Sequence, residues 1–131
     1  MQDCRAALTN RRYLPDVPLP DSIALTSSLA DVAGADLLFA ATPVVELVPL
    51  AAALKAAGAA APLVSLAKGF VASGDAWALP HRVLAATWPR PVATVTGPTF
   101  AEEVARGLPT ALVVAATDAA LTTRVAGLLR G

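Results

Sequence analysis

A lysine placed where a buried strand ends can act on a bound anion, and this sequence has such a lysine. The segment Pro62 to Ala67 is mostly aliphatic, and Lys68 and Gly69 follow it directly. Because the segment is too short for a helix, it predicts a strand buried on both faces. In open α/β sheets ligands bind outside the carboxyl ends of the strands, and a glycine there lets the backbone approach a ligand closely. The alternative interpretation is that Lys68 is a solvated loop residue.

A second candidate site follows another short β segment, Val92 to Thr96. Gly97–Pro98 comes next, and Thr99 stands three residues before Glu102, the spacing of a capping box that predicts a helix over 99–106. The free backbone N–H groups at a helix N-terminus can bind an anion such as a phosphate. The alternative interpretation is a simple turn, followed by acidic residues that complement the helix dipole.

Predicted strands and helices alternate along the chain, and this order tells where the two candidate site segments lie relative to each other. Alternation requires crossover connections, which predict an α/β fold with a mostly parallel sheet and helices on both faces. The carboxyl ends of parallel strands share one edge, so Pro43, Lys68–Gly69 and Gly97–Thr99 should lie along the same rim. The predicted strands are 23–26, 36–42, 62–67, 92–96 and 110–116. The predicted helices are 3–9, 28–34, 44–57, 75–87, 99–106 and one after Asp118.

Prolines and capping residues refine these boundaries. Three prolines between Asn10 and Asp21 predict an extended connection without regular structure. Pro49 predicts either a kink in the helix 44–57 or a later start of that helix. Ser28 and Asp118 are predicted N-caps, and the last helix should present one apolar face formed by Leu121, Val125, Leu128 and Leu129.

Composition excludes several classes of protein. The 131 residues are 56% hydrophobic and 15% charged, which suits one domain with a packed core. Lysine plus arginine equals aspartate plus glutamate at 10 each, without a basic cluster, so a nucleic-acid partner is not expected. The longest apolar region, Leu47 to Leu66, is broken by Lys55 and by prolines, and we expect no membrane span. Cys4 is the single cysteine, which predicts a reducing compartment and no cysteine-rich metal site. The first residues show no signal-peptide pattern, so we expect a cytoplasmic protein.

The histidine and the larger aromatic residues are predicted to have structural roles. His81 has no nucleophilic partner nearby in the sequence and is predicted to be a surface or packing residue. Trp77, Trp88 and Phe100 are predicted to belong to the core rather than to a cofactor platform.

Four stretches together resemble one known family. They are Asn10 with Y-L-P-D-V-P-L-P-D (13–21), A-K-G (67–69), G-P-T-F-A-E-E-V (97–104) and R-G-L-P-T-A (106–111). With these stretches in this order and at this spacing, the sequence resembles the NAD(P)-dependent glycerol-3-phosphate dehydrogenases, and in particular those of the bacterial type. The resemblance covers essentially the whole chain, residues 1–131, as part of the cofactor domain.

The resemblance implies an activity and a set of site residues. The expected reaction is the interconversion of dihydroxyacetone phosphate and sn-glycerol 3-phosphate with NADH or NADPH, which supplies a precursor of glycerophospholipids. Lys68 is implied to contact both cofactor and substrate, Gly97 and Thr99 to contact the substrate, and Ala101 to contact the cofactor through its backbone. The fold implied is a doubly wound, Rossmann-like sheet, and the family likeness also allows a homodimer.

Parts of the family pattern are not found in these 131 residues. No G-x-G-x-x-G turn is present, and in the family this turn lies upstream of the position of residue 1. We therefore expect a fragment that lacks the first two strands and the C-terminal helical domain, with its general-acid lysine, and that is inactive alone. The strand 36–42 should then expose an apolar edge. The choice between NAD and NADP stays open, because the residues that read the ribose follow the second strand.

Two other functions compete with this interpretation. The chain could be a non-catalytic α/β binding module that kept the sheet without the chemistry. It could also belong to another reductase of the same superfamily, although such a protein has no reason to carry G-P-T-F-A-E-E-V.

Overall fold

The computed structural model describes residues 8–130 of the chain. Its strands and helices alternate through most of this range, which confirms the predicted α/β class. The strands are β1 (Thr9–Asn10), β2 (Leu14–Pro18), β3 (Leu38–Ala40), β4 (Leu63–Ser65), β5 (Val71–Ser73), β6 (Ala76–Ala78), β7 (Val92–Thr96) and β8 (Val113–Ala116). The α-helices are α1 (Leu47–Ala56), α2 (Pro80–Thr87), α3 (Ala101–Ala105) and α4 (Ala119–Leu128).

The main sheet has four strands in the order β3-β4-β7-β8. β3, β4 and β7 are parallel, and β8 runs antiparallel to β7, so the sheet is mostly parallel as predicted. Within the described range β3 is an edge strand, and its Phe39 is 43% exposed, which agrees with the expected apolar edge. No helix between residues 8 and 130 has both the length and the apolar character that crossing a membrane would require.

The period of two in the strands divides the core into two layers, one on each face of the sheet. On β4, Leu63 packs with α1 and α2, whereas its neighbour Val64 packs with Leu121 and Val125 of α4. Helices therefore cover both faces, as the alternating pattern predicts. Leu128 and Leu129, predicted for the same buried face of the last helix, are exposed.

α1 begins later than its apolar pattern suggests. Val44–Glu46 form a 3-10 helix, and the α-helix proper starts at Leu47, which places Pro49 in its first turn. A proline is tolerated there because the first-turn N–H groups have no partner within the helix. Of the two outcomes predicted for Pro49, the later start is confirmed.

Two predicted segments are replaced by β-hairpins. The extended connection predicted from Asn10 to Asp21 contains the antiparallel pair β1–β2, and the strand predicted at 23–26 is not formed. The helix predicted from 75 begins only at Pro80, because residues 71–78 form the hairpin β5–β6 with Gly74 in its turn at φ 61°. Apolar periodicity and residue propensity did not predict these hairpins, because a two-stranded ribbon needs little apolar alternation and tolerates proline where its nitrogen has no ladder hydrogen bond to donate.

The predicted caps had mixed outcomes. Asp118 caps α4, because its carboxylate accepts hydrogen bonds from the N–H groups of Ala120 and Leu121 at 2.8 and 3.1 Å. Ser28 makes no cap hydrogen bond, and the segment after it is only a 3-10 helix, Leu29–Val32. The hydroxyl of Thr26 bonds to this segment instead: it accepts a hydrogen bond from the N–H of Ser28 at 3.0 Å and donates one to the carboxylate of Asp31.

Trp88 ties the end of α2 to the segment before β4. Its side chain is buried, and the indole Nε1 donates to the carbonyl oxygen of Ala61 at 2.9 Å. Its predicted place in the core is confirmed. Trp77, predicted to be buried as well, is 73% exposed on the β5–β6 hairpin, so that prediction is wrong.

We expect Trp88→Phe to lower the free energy of unfolding by about 1–3 kcal/mol, since a buried carbonyl would lose its donor. Urea denaturation followed by circular dichroism measures the change. Trp77→Phe is the matched control and should change stability by less than about 0.5 kcal/mol, because that ring is exposed. Equal effects of the two substitutions would contradict the structural role given to Trp88.

Candidate functional site

The ends of the parallel strands form the predicted rim. After β4 the chain continues extended for one residue, and the N–H of Leu66 donates to the carbonyl oxygen of Ala40 at 3.0 Å. Lys68 and Gly69 follow, and a methyl group of Val44, directly after Pro43, lies 3.6 Å from where a Cβ on Gly69 would stand. The segments that leave β3 and β4 therefore meet at one edge, as expected.

Lys68 reaches across this rim to the end of β7. Its Nζ donates a hydrogen bond to the carbonyl oxygen of Gly97 at 3.1 Å, although the two residues are 29 positions apart. The side chain remains exposed, so the ammonium lies at the surface and stays accessible to a ligand. Gly69 adopts φ 114°, a backbone conformation that favours glycine, and this turn directs the chain away from the sheet.

The carbonyl of Gly97 is the meeting point of three donors. Besides Lys68 Nζ, it accepts hydrogen bonds from the N–H of Thr99 at 2.9 Å and from the hydroxyl of Thr99 at 3.4 Å. Gly97 itself has no room for a side chain, because a Cβ there would overlap the carbonyl oxygen of Ala111 next to β8. The structure thus brings Lys68, Gly97 and Thr99 together, as the sequence predicted.

A cleft of about 910 Å³ opens beside this group. Lys68, Thr99 and Ala101 line it, so both residues predicted to contact a cofactor lie in the same cleft as two of the three predicted to contact a substrate. The other polar residues of the wall are Thr96 and Thr110. The remaining wall is mostly apolar and includes Leu14, Leu66, Val95, Val104, Leu108, Leu112 and Leu129.

Sequence reasoning missed part of this wall. Leu14 comes from the β1–β2 hairpin and Leu129 from the end of α4, and neither belongs to a predicted site segment. Leu14 lies in the Y-L-P-D stretch, one of the four stretches that carry the family resemblance, so the resemblance could have indicated that it lies near the site. Leu129 had been assigned to the apolar face of the last helix, and its position in the cleft accounts for its exposure.

The predicted helix N-terminus at Thr99 is different in the structure. α3 has five residues, starts at Ala101 and has Phe100 as its N-cap residue without a side-chain hydrogen bond. The capping box of Thr99 and Glu102 is therefore not formed, because Thr99 bonds Gly97 instead. So short a helix has a small dipole, and the site's positive charge comes from Lys68. Phe100, predicted for the core, is 66% exposed.

His81 does not line this cleft. His81 is exposed near the start of α2, which agrees with its predicted surface role. In the range 8–130, no three histidine, cysteine, aspartate or glutamate side chains are grouped closely enough to hold a metal ion. Cys4 and most of the helix predicted at 3–9 lie outside the described residues, and Thr9, at the end of that helix, belongs to β1 instead. An accessible ammonium beside a largely apolar cleft is suited to stabilising negative charge on a bound small molecule.

Comparison with known proteins gives one consistent family. Residues 1–122 match the family model described as NAD-dependent glycerol-3-phosphate dehydrogenase N-terminus. A relative named glycerol-3-phosphate dehydrogenase [NAD(P)+] from Dechloromonas aromatica is 39% identical over 127 residues, which are 95% of this chain and 38% of the relative. One of the same name from Mesorhizobium japonicum is 44% identical over 120 residues, covering 89% of this chain and 34% of the relative.

Solved structures agree with the sequence comparison. The glycerol-3-phosphate dehydrogenase of Coxiella burnetii superposes with a TM-score of 0.88 at 28% identity, covering 99% of this chain and 40% of that one. The glycerol-3-phosphate dehydrogenase of Plasmodium falciparum gives a TM-score of 0.82 at 27% identity, covering 96% and 36%. The chain thus spans about two fifths of the length of the relatives that it matches.

Proposed function

This chain belongs to the family of NAD-dependent glycerol-3-phosphate dehydrogenases, whose N-terminal model it matches over residues 1–122, and we propose that it serves the family's reaction. The reaction is the interconversion of dihydroxyacetone phosphate and sn-glycerol 3-phosphate with NADH or NADPH. The observation that supports this most strongly is the contact between Lys68 Nζ and the carbonyl oxygen of Gly97 at 3.1 Å. It joins two of the stretches that carry the family likeness at the edge of the sheet where ligands bind in such folds.

The cleft fits one end of a nicotinamide cofactor. Its largely apolar wall suits a planar ring, and Ala101 lies in that wall with its backbone available for contact. The cofactor supplies the hydride when it is bound. The sequence of 131 residues contains no G-x-G-x-x-G turn, so these residues are assigned to the nicotinamide end and not to the pyrophosphate.

Each site residue then has a separate task. Lys68 places a positive charge where the substrate's phosphate or its developing alkoxide is stabilised, and a partly apolar cleft strengthens that interaction. Gly97 lets the Ala111 segment pack closely against it because it has no side chain, its carbonyl orients the lysine, and its backbone is proposed to contact the substrate. Thr99 offers a hydroxyl that can contact the substrate. These assignments give the cleft a role in binding and charge stabilisation, whereas the general-acid lysine is expected in the C-terminal helical domain of the family.

Other properties extend the proposal. A single cysteine suits a reducing compartment, and we propose a cytoplasmic location. Either NAD or NADP is the cofactor, and supply of a phospholipid precursor is the proposed role of the product. The homodimer stays a prediction from the family likeness.

A coupled activity assay tests the proposed function. The protein expressed from its complete coding region is expected to oxidise NADH or NADPH in a manner that depends on dihydroxyacetone phosphate. The 131-residue polypeptide on its own should show no turnover, since it lacks the pyrophosphate-binding turn. If the product of the complete coding region folds but gives no substrate-dependent oxidation with either cofactor, the non-catalytic module becomes the better interpretation.

A further inference from the structure

Ser65, the last residue of β4, is unusual in its surroundings. Ser65 is fully buried, at 0% exposure, and among residues 8–130 it is the one polar residue in the buried class. Its neighbours in register on the two adjacent strands are Ala40 and Thr94. Burying a hydroxyl costs free energy unless hydrogen bonds compensate it, and an alanine would suit this place at least as well for packing. The presence of serine rather than alanine at position 65 is therefore not explained by stability alone.

The hydroxyl acts on the turn that carries Lys68. Ser65 Oγ accepts a hydrogen bond from the N–H of Ala67 at 3.3 Å, and Ala67 directly precedes the lysine. Leu66, between Ser65 and Ala67, is fixed by a backbone hydrogen bond, because its N–H donates to the carbonyl oxygen of Ala40 at 3.0 Å. At the far end, Lys68 Nζ is held by Gly97 at 3.1 Å. Ser65 thus supplies the side-chain contact that fixes the backbone immediately before Lys68.

We propose that Ser65 is a positioning residue, which orients Lys68 toward the cleft by holding the amide of Ala67. The role rests on the proposed function, because Lys68 is the group that acts on the substrate. Misplacement of a catalytic group by a fraction of an ångström to 1 Å is enough to slow an enzyme strongly. Ala67 is only half-buried, so water can replace the lost acceptor and the fold tolerates the loss.

A double-mutant cycle tests the role in the protein expressed from its complete coding region. Ser65→Ala is expected to lower kcat on the order of 10-fold while leaving the melting temperature unchanged or raised. In the Lys68→Ala background the same substitution should have no further effect on kcat, because its action passes through the lysine. Ser65→Cys fills nearly the same space but accepts hydrogen bonds weakly, and it should resemble Ser65→Ala.

Ser73→Ala is the control, since Ser73 lies exposed on β5 and should leave kcat unchanged. Normal kcat for Ser65→Ala in an otherwise active enzyme would overturn the positioning role and leave the proposed function intact. Equal losses in the wild-type and Lys68→Ala backgrounds would also overturn it, because Ser65 would then act independently of the lysine. A wild-type protein without turnover would overturn the proposed function and this role with it.

Discussion

Replacing Lys68 by alanine is expected to lower kcat by about 100-fold or more in the protein expressed from its complete coding region, the scale of loss when one electrostatic group is deleted from an active site. Lys68 lines the cleft, and its Nζ donates a hydrogen bond to the carbonyl oxygen of Gly97 at 3.1 Å. Closing the cleft around a substrate removes water, which strengthens the interaction of this charge with developing negative charge. Steady-state kinetics with dihydroxyacetone phosphate measures the loss.

Two further variants distinguish a catalytic lysine from a solvated one. Lys68→Arg should rescue poorly, because a planar guanidinium cannot replace a compact point charge in a fitted site. Lys55→Ala removes an exposed lysine of α1 and should change kcat little. Near-normal kinetics for a folded Lys68→Ala protein would instead favour the interpretation of Lys68 as a loop residue without a part in the reaction.

Replacing Gly97 by alanine is expected to destabilise the protein by about 3 kcal/mol or more. A Cβ at this position overlaps the carbonyl oxygen of Ala111, and a backbone oxygen cannot rotate away as the end of a side chain can. The φ of 154° adds strain for any residue with a side chain. The strand β7 would have to separate from β8 at the point where the site is formed. Urea denaturation measures the cost, and activity should fall with it.

Gly127→Ala is the matched control for this substitution. Gly127 lies within α4, and nothing approaches within 4 Å of a Cβ built there. Alanine in a helix is favoured over glycine, so this variant should be more stable by up to about 1 kcal/mol. If Gly97→Ala were as stable as the wild type, the close approach of β7 and the Ala111 segment would be wrong.

The sequence predicted the parts of the fold in which apolar runs are short and bounded by turn residues. β7 was predicted at its observed limits, Val92–Thr96. The strands before Pro43 and Lys68 were predicted in the right places but four and three residues too long. Parallel pairing then placed Lys68 and Gly97 on one rim without knowledge of any distance. That inference needed only the polarity of the strands, which the crossover connections determine.

The failures have a common physical origin in short, locally stabilised segments. The hairpins at 9–18 and 71–78 depend on backbone pairing over a few residues, which leaves little periodic signal. Thr99 satisfies the spacing of a capping box, but its hydroxyl bonds the nearby carbonyl of Gly97. Competing local hydrogen bonds of this kind are decided by tertiary geometry. The role of Ser65 was equally invisible, because a serine in an apolar strand gives no periodic signal.

A crystal structure of the protein expressed from its complete coding region, with NADPH and dihydroxyacetone phosphate bound, tests the central claim most directly. The account predicts the substrate beside the ends of β4 and β7, with Lys68 Nζ within about 3 Å of one of its oxygen atoms. Thr99 and the backbone of Ala101 should line the same pocket. A substrate bound elsewhere, with Lys68 directed only into solvent, would contradict the assignment of this cleft.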